Sequence, residues 1–212
     1  MTLINDLIDK NYLRTPRIIE AFRRIRRADF IPDKLESLSE ADIPLPIGYR
    51  QTISQPLTVA FMMELLDPKE GNKILDIGFG SGWTTALLAE ITGEKGNVTA
   101  VEIISELCAY GANNIDKYKF IKNKRVEILC QDGSSGYAFK APYGRILVSA
   151  SAKEISNELK KQLKINGKLV IPVSTSIWMI ERISKKEYGE KEYPGFVFVP
   201  LINQKSRFKN QN

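Results

Sequence analysis

Apolar and polar positions change period several times along this 212-residue chain. Short, nearly continuous apolar runs alternate with longer stretches whose apolar residues return every three or four positions. The first pattern suits strands buried on both faces, the second helices with one packed side. In order, it predicts an N-terminal helical region to about residue 40. Within it lies an amphipathic helix over 16–27, with Ile18, Ile19, Phe22 and Ile25 on its apolar side. A loop rich in proline and polar residues follows over 42–56. A helix over 57–66 is stopped by Asp67-Pro68. Then come strand 74–77, helix 83–91, strand 97–102, helix 105–118, strand 126–130, strand 145–149, helix 153–164 and strand 168–173. Strands 177–183 and 196–202 complete a set of seven, and 203–212 reads as a polar, frayed tail. Such alternation predicts an α/β fold with a doubly wound, mostly parallel sheet. The C-terminal strand is expected to be antiparallel. The expected division is a helical extension with its loop over 1–56, a core over 57–202, and the tail.

The junction after the first of these strands carries the most chemistry. Residues 74–82 read Ile-Leu-Asp-Ile-Gly-Phe-Gly-Ser-Gly, an apolar strand with an acid followed by three alternate glycines. Glycine lets backbone turn sharply and approach a ligand closely. The stretch opens onto the helix that begins at Trp83. Glu102 ends the next strand, at roughly the distance where nucleotide sites place a ribose-binding acid. A dinucleotide fingerprint, Gly-x-Gly-x-x-Gly, needs glycine at 83, where this chain has tryptophan. Gly-x-Gly-x-Gly after an acid-bearing strand instead resembles the first motif of S-adenosylmethionine-dependent methyltransferases.

Composition narrows the choice. A hydrophobic content of 43% and a charged content of 26% fit a globular protein with a sizeable core. No apolar run approaches a membrane span, and the N-terminus lacks the pattern of a signal peptide. Cys108 and Cys130 fit a reduced compartment, with packing as the expected role of each. These features point to a cytoplasmic protein without a membrane partner. The chain has no histidine. That removes the commonest general base and metal ligand, and no carboxylate cluster has metal spacing. A metal-free enzyme needing no strong base fits. The net charge of +6 raises nucleic-acid binding. Much of it comes from Arg14, Arg17, Arg23, Arg24, Arg26 and Arg27, with no aromatic residue interleaved for base stacking. They are expected to form a solvated face on a packed helix, with no stable nucleic-acid partner.

Further segments resemble the protein-L-isoaspartate (D-aspartate) O-methyltransferases. Pro44-Leu45-Pro46-Ile47-Gly48, leading into Gln51-Thr52-Ile53-Ser54-Gln55-Pro56, is similar to that family's substrate loop. Arg26 to Pro32, Asp132-Gly133, Gly136-Tyr137, Ala141 to Tyr143, Gln162 to Val173 and Phe198 to Leu201 also resemble it. The resemblance implies a seven-stranded, Rossmann-like methyltransferase core and a carboxyl O-methyltransferase of class EC 2.1.1.77. Its cofactor would be S-adenosylmethionine, with S-adenosylhomocysteine as product. The substrates implied are isoaspartyl residues in damaged proteins and peptides. It places catalysis at Ser54 and Thr52 and substrate contacts at Ile53 and Gln55. Cofactor contacts fall on Asp76, Gly78, Gly80, Ser81, Gly82, Glu102, Ile103, Asp132 and Gly133. On the residues alone, Ser54 is also a candidate N-cap for the following helix. Tyr49-Arg50, Leu57, Phe79 and Trp83 depart from the family's usual residues. The alternatives are an RNA or other small-substrate methyltransferase of the same fold, or a cofactor-binding protein with weak activity. Against RNA, the fourth strand ends Val148-Ser149-Ala150, without the Asn-Pro-Pro-Tyr type of loop.

Overall fold

The computed structural model describes residues 2–204 and contains a two-stranded hairpin and a seven-stranded sheet. Helices α1 (Leu3–Asp9) and α2 (Pro16–Arg24) come first, then 3-10 turns over Arg27–Phe30 and Asp33–Leu38. Strands β1 (Leu45–Gly48) and β2 (Gln51–Ile53) form the hairpin, and α3 (Pro56–Leu66) follows. The core continues as β3 (Lys73–Ile77), α4 (Trp83–Thr92), β4 (Asn97–Glu102), α5 (Ser105–Asp116) and β5 (Val126–Cys130). It ends with β6 (Tyr143–Val148), α6 (Asn157–Lys161), β7 (Leu163–Val173), β8 (Ser176–Arg182) and β9 (Tyr188–Pro194). The sheet order is β5-β4-β3-β6-β7-β8-β9. Strands β3 to β7 pair in parallel, and β8 runs antiparallel to both its neighbours.

Alternate residues of the central strands go to opposite faces, as the pleat requires. Ile74, Val98, Ala100, Leu147 and Val170 pack on one face with α2, α3, α4 and α5. Leu75, Ile77, Val101, Ile146, Val148 and Ile171 form the other face. That second layer is thin: Leu159 of α6, Tyr137, Ala141 and Leu201 cover it. Phe22 of α2 meets Trp83 edge-to-face at 5.5 Å, joining the N-terminal helices to the start of α4.

The pattern misplaced several elements. Residues 45–53 form a hairpin where a loop was expected. Their prolines and glycine hide the strand pattern, and the turn residues Tyr49 and Arg50 take φ of 52° and 59° without being glycine or asparagine. The helix expected over 153–164 is only α6, capped by Ser156, and β7 starts at Leu163. The last strand lies at 188–194, not 196–202. Residues 196–202 are apolar because they cross the carboxyl end of the sheet. There Ser151 N–H donates to Val199 O and Leu201 N–H to Ser151 O, each at 2.8 Å. Cys108 and Cys130 are joined in a disulfide that ties α5 to the end of β5, in place of two separately packed thiols. No helix among the described residues is long and apolar enough to cross a membrane. From residue 205 onward the expected tail lies outside the described residues.

Gly82 carries a direct test of the packing behind the glycine loop. Its φ is +91°, and an added Cβ would lie 2.7 Å from Ile115 Cγ1 and 2.8 Å from Gly111 O. Gly48 has a similar φ of +93° but open space around it. Chemical denaturation of Gly82→Ala should show a loss of about 3 kcal/mol, strain plus overpacking. Gly48→Ala should lose about 1 kcal/mol, strain alone. Equal losses would mean that the Gly82 contact relaxes freely.

Candidate active site

The three glycines of the loop after β3 do different work. Gly78 and Gly80 line a cavity at the carboxyl ends of β3 and β4. Both have positive φ, 74° and 53°, which residues with a Cβ adopt at a cost. Gly82 lines none of the cavities described here; it lets α5 pack close behind the loop. The loop's bulky Phe79 fits because α5 has glycine at 111, where a Cβ would lie 2.6 Å from its ring. Ser81 is buried and lines the adjoining pocket beside Thr52 and Ser54.

Glu102, buried at the end of β4, accepts from Gly80 N–H and Ile104 N–H at 3.0 Å each. It lines the cavity with Ile103, Leu107 and Gly133. That cavity encloses about 520 Å³, including its open mouth. Asp132 stands beside it without lining it. Its Oδ1 accepts from Ser134 N–H at 2.8 Å and its Oδ2 from Gln204 N–H at 2.9 Å. Burial pushes its pKa up, but these donors outweigh burial and hold it below the ordinary carboxylate value. Asp76 is withdrawn further: fully buried, it lines none of these cavities. Its Oδ2 accepts from Thr84 Oγ at 3.0 Å and Thr85 Oγ at 2.6 Å. Oδ1 has no partner among the described residues. Burial, chiefly, pushes its pKa up to about 6. Its position is that of a group anchoring α4 to β3.

The hairpin forms the opposite wall. Ile47 projects onto the glycine loop, with its Cδ1 3.2 Å from where a Gly80 Cβ would stand. Ile53 is buried, and Ser54 follows it. Ser54 caps no helix: the N-cap of α3 is Gln55, and Leu57 N–H donates instead to Asp42 Oδ1 at 2.8 Å. Asp42 Oδ2 also accepts from Gln55 Nε2 at 3.2 Å. A second groove, about 1390 Å³ with its opening, runs from Ser54, Gln55 and Leu57 to the segment 194–199. Among the described residues its lining is apolar and uncharged polar. Thr52 and Ser149 are shared by the cavity of the glycine loop, this groove and the pocket beside Ser54.

Two residues here were not singled out from sequence. Arg27, expected on a solvated face, is 5% exposed beneath the hairpin. Its guanidinium donates to Ala41 O at 3.0 Å, Ile43 O at 2.7 Å, Ser54 O at 3.3 Å and Ser39 O at 3.4 Å. It also lies 5.6 Å from the Trp83 ring. Burial lowers its pKa to about 10, against the raising effect of Asp42 and Glu40, so it stays charged at neutral pH. The other missed residue is Ser149, whose Oγ is enclosed and without a partner among the described residues. Lining three cavities is a tertiary property with no local signature. The basic run is largely engaged within the chain. Arg17 pairs with Asp67, Arg24 with Glu20 and Glu90, and Arg14 reaches Glu64 at 3.9 Å. Among the described residues no cluster has the makings of a metal site.

Comparison with known proteins gives one answer. The family model described as protein-L-isoaspartate(D-aspartate) O-methyltransferase matches residues 1–206. A protein-L-isoaspartate O-methyltransferase of Methanopyrus kandleri is 41% identical over 206 residues, 95% of this chain and 90% of that protein. Protein-L-isoaspartate O-methyltransferase 2 of Archaeoglobus fulgidus is 43% identical over 188 residues, 87% of this chain and 84% of that protein. Among solved structures, a Plasmodium falciparum protein described as a protein-L-isoaspartate O-methyltransferase in complex with S-adenosyl-L-homocysteine superposes with a TM-score of 0.84. It shares 22% identity and covers 95% of this chain and 97% of its own, a likeness of fold.

Two expectations follow from the buried charges. Asp76 binds its proton more tightly in the folded state than in the unfolded chain, where its pKa is near 4. Its contribution to stability is therefore fully present below about pH 4 and is lost as the pH rises through about 6. Asp76→Asn, neutral throughout, should remove up to roughly 3 kcal/mol of that fall in denaturation measured from pH 4 to 7. Parallel curves for the two proteins would rule this out. Arg27→Met leaves several buried carbonyls unpaired. It should lower stability by about 3 kcal/mol, or roughly 6–12 °C in Tm. A shift under 2 °C would show that water replaces the guanidinium.

Proposed function

The chain belongs to the protein-L-isoaspartate(D-aspartate) O-methyltransferase family, and we propose that it methylates the free α-carboxylate of isoaspartyl residues in damaged proteins and peptides, from S-adenosylmethionine. The observation that carries this is the meeting of two cavities at one wall. The cavity of the glycine loop and the groove of segment 194–199 share Thr52 and Ser149, with Ser54 beside them.

The residues of the first cavity fit a nucleoside-bearing cofactor. Glu102 offers a buried carboxylate to a ribose diol. Gly133 keeps the far wall flat, since a Cβ there would lie 3.0 Å from Ile77 Cγ2 and Val101 Cγ1. Asp132 stands near that wall as an acceptor for an exocyclic amine, a contact strengthened by its charge. Gly78, Gly80, Ser81 and Ile103 shape the remaining surface, with Asp76 and Gly82 holding the loop from behind. S-adenosylmethionine, when bound, supplies an electrophilic sulfonium methyl group.

The chain's own part is binding and alignment. A peptide α-carboxylate is ionised at neutral pH and is already a nucleophile, so a chain without histidine loses nothing. The gain comes from holding the oxygen in line with the methyl carbon, which is catalysis by positioning. Ser54 donates a hydrogen bond to one carboxylate oxygen and leaves the other to attack. Thr52, one pleat earlier on β2, borders the same space, and Ile53 and Gln55 set the backbone on either side of Ser54. The extended segment 196–199 is a template along which a peptide lies as a short strand.

The test is methyl transfer to a short peptide in isoaspartyl and normal aspartyl forms. Base-labile methyl on the isoaspartyl form alone is expected, and equal labelling of both or neither would overturn the reading. With that substrate, Ser54→Ala should lose roughly 10- to 100-fold in kcat/KM, the scale of one hydrogen bond to a charged group.

A further inference from the structure

We propose that Ser149 is a second substrate-positioning hydroxyl, donating a hydrogen bond to the carboxylate that Ser54 addresses from the opposite wall; this rests on the function proposed above. Ser149 follows the last residue of β6, and its N–H donates to Ile77 O at 2.9 Å. That bond fixes its backbone against β3, next to Gly78. Its Oγ is enclosed and has no hydrogen-bond partner among the described residues. A buried hydroxyl left unpaired costs free energy, and a carboxylate oxygen entering the junction would supply the missing acceptor. Ser149 borders the cofactor-side cavity, the peptide groove and the pocket beside Ser54. The methyl group has to cross that junction.

The electrostatics of the junction point to the same role. Among the described residues, neither the groove nor the Ser54 pocket is lined by lysine or arginine. The nearby buried cation, Arg27, is turned to the carbonyls of residues 39–43 and 54. A carboxylate entering here is met by Thr52, Ser54 and Ser149 rather than by an ion pair. This suits the reaction. The carboxylate oxygen gives an electron pair to the methyl carbon as the carbon–sulfur bond breaks, and its negative charge disappears. A cation would stabilise the starting anion more than the transition state and so slow transfer. Hydroxyl donors hold the carboxylate with less of that penalty. No proton moves, so Ser149 acts through its hydrogen bond alone.

The experiment compares Ser149→Ala, Ser149→Val and Ser149→Thr, with kcat and KM for an isoaspartyl peptide and the Kd for S-adenosylhomocysteine measured by calorimetry. Alanine and valine should raise the peptide KM roughly 10-fold, with a smaller change in kcat and a Kd within twofold of the parent. Threonine should restore most of the parent KM, while valine, of the same shape without the hydroxyl, should not. A weakened Kd with unchanged KM would assign the hydroxyl to the cofactor and overturn the proposal. Unchanged constants in every variant would remove any role for it. If the parent enzyme leaves the isoaspartyl peptide unmethylated, the proposed function itself fails and this inference falls with it.

Discussion

A single buried guanidinium holds the two halves of the site in register. Arg27 lies under the hairpin and spans carbonyls from residue 39 to residue 54. No carboxylate among the described residues forms an ion pair with it; its charge is met by backbone dipoles, with Asp42 and Glu40 further off. Trp83, the first residue of α4, borders it on another side. One side chain thus connects the carbonyl of Ser54 to the helix that the glycine loop opens. Asp42 reinforces the arrangement by holding Leu57 N–H and the Gln55 side chain. Positioning catalysis requires two ligands placed to within a fraction of an ångström. A buried, multiply bonded arginine is a stiff way to supply that, because its planar fork loses little freedom per bond formed.

The same site keeps its charges out of the reacting space. Glu102 and Asp132 stand at the carboxyl ends of β4 and β5, Asp76 lies behind the loop, and Arg27 is sealed beneath the hairpin. The junction itself presents hydroxyls and backbone. That distribution matches a reaction in which an anion becomes a neutral ester and no base is required. It also explains how a strongly basic chain leaves the described lining of the second groove uncharged. Arg17, Arg24 and Arg27 fasten α2 and the hairpin to the core.

What was legible in the sequence was local. Strands β3 to β6 and helix α4 announce themselves as apolar runs and period changes, and the glycine loop carries its own backbone demands. Ser54, Thr52, Glu102 and Gly133 could be placed from motif residues, and the structure sets all four on cavity walls. What was hidden depends on distant partners. The hairpin at 45–53 is built from proline and a strained Tyr49-Arg50 turn, so its residues do not resemble strands. The stretch 196–202 is apolar for the sake of the cavities it roofs, and so imitates an edge strand, while the true edge strand β9 is largely polar. Cys108 and Cys130 meet only once α5 folds back on β5. Arg27 sits in a basic run that conceals which member turns inward, and Ser149 is one serine among many until three cavities meet at it.

The central claim is that the hairpin and the glycine loop present a carboxylate to one point in space. The most direct measurement is a crystal structure of the protein with S-adenosylhomocysteine and an isoaspartyl peptide bound. The account predicts the homocysteine sulfur over Gly78 and Gly80, the peptide extended along 196–199, and its α-carboxylate in hydrogen-bonding range of Ser54. A peptide lying elsewhere, or a carboxylate held by a lysine or arginine, would contradict it.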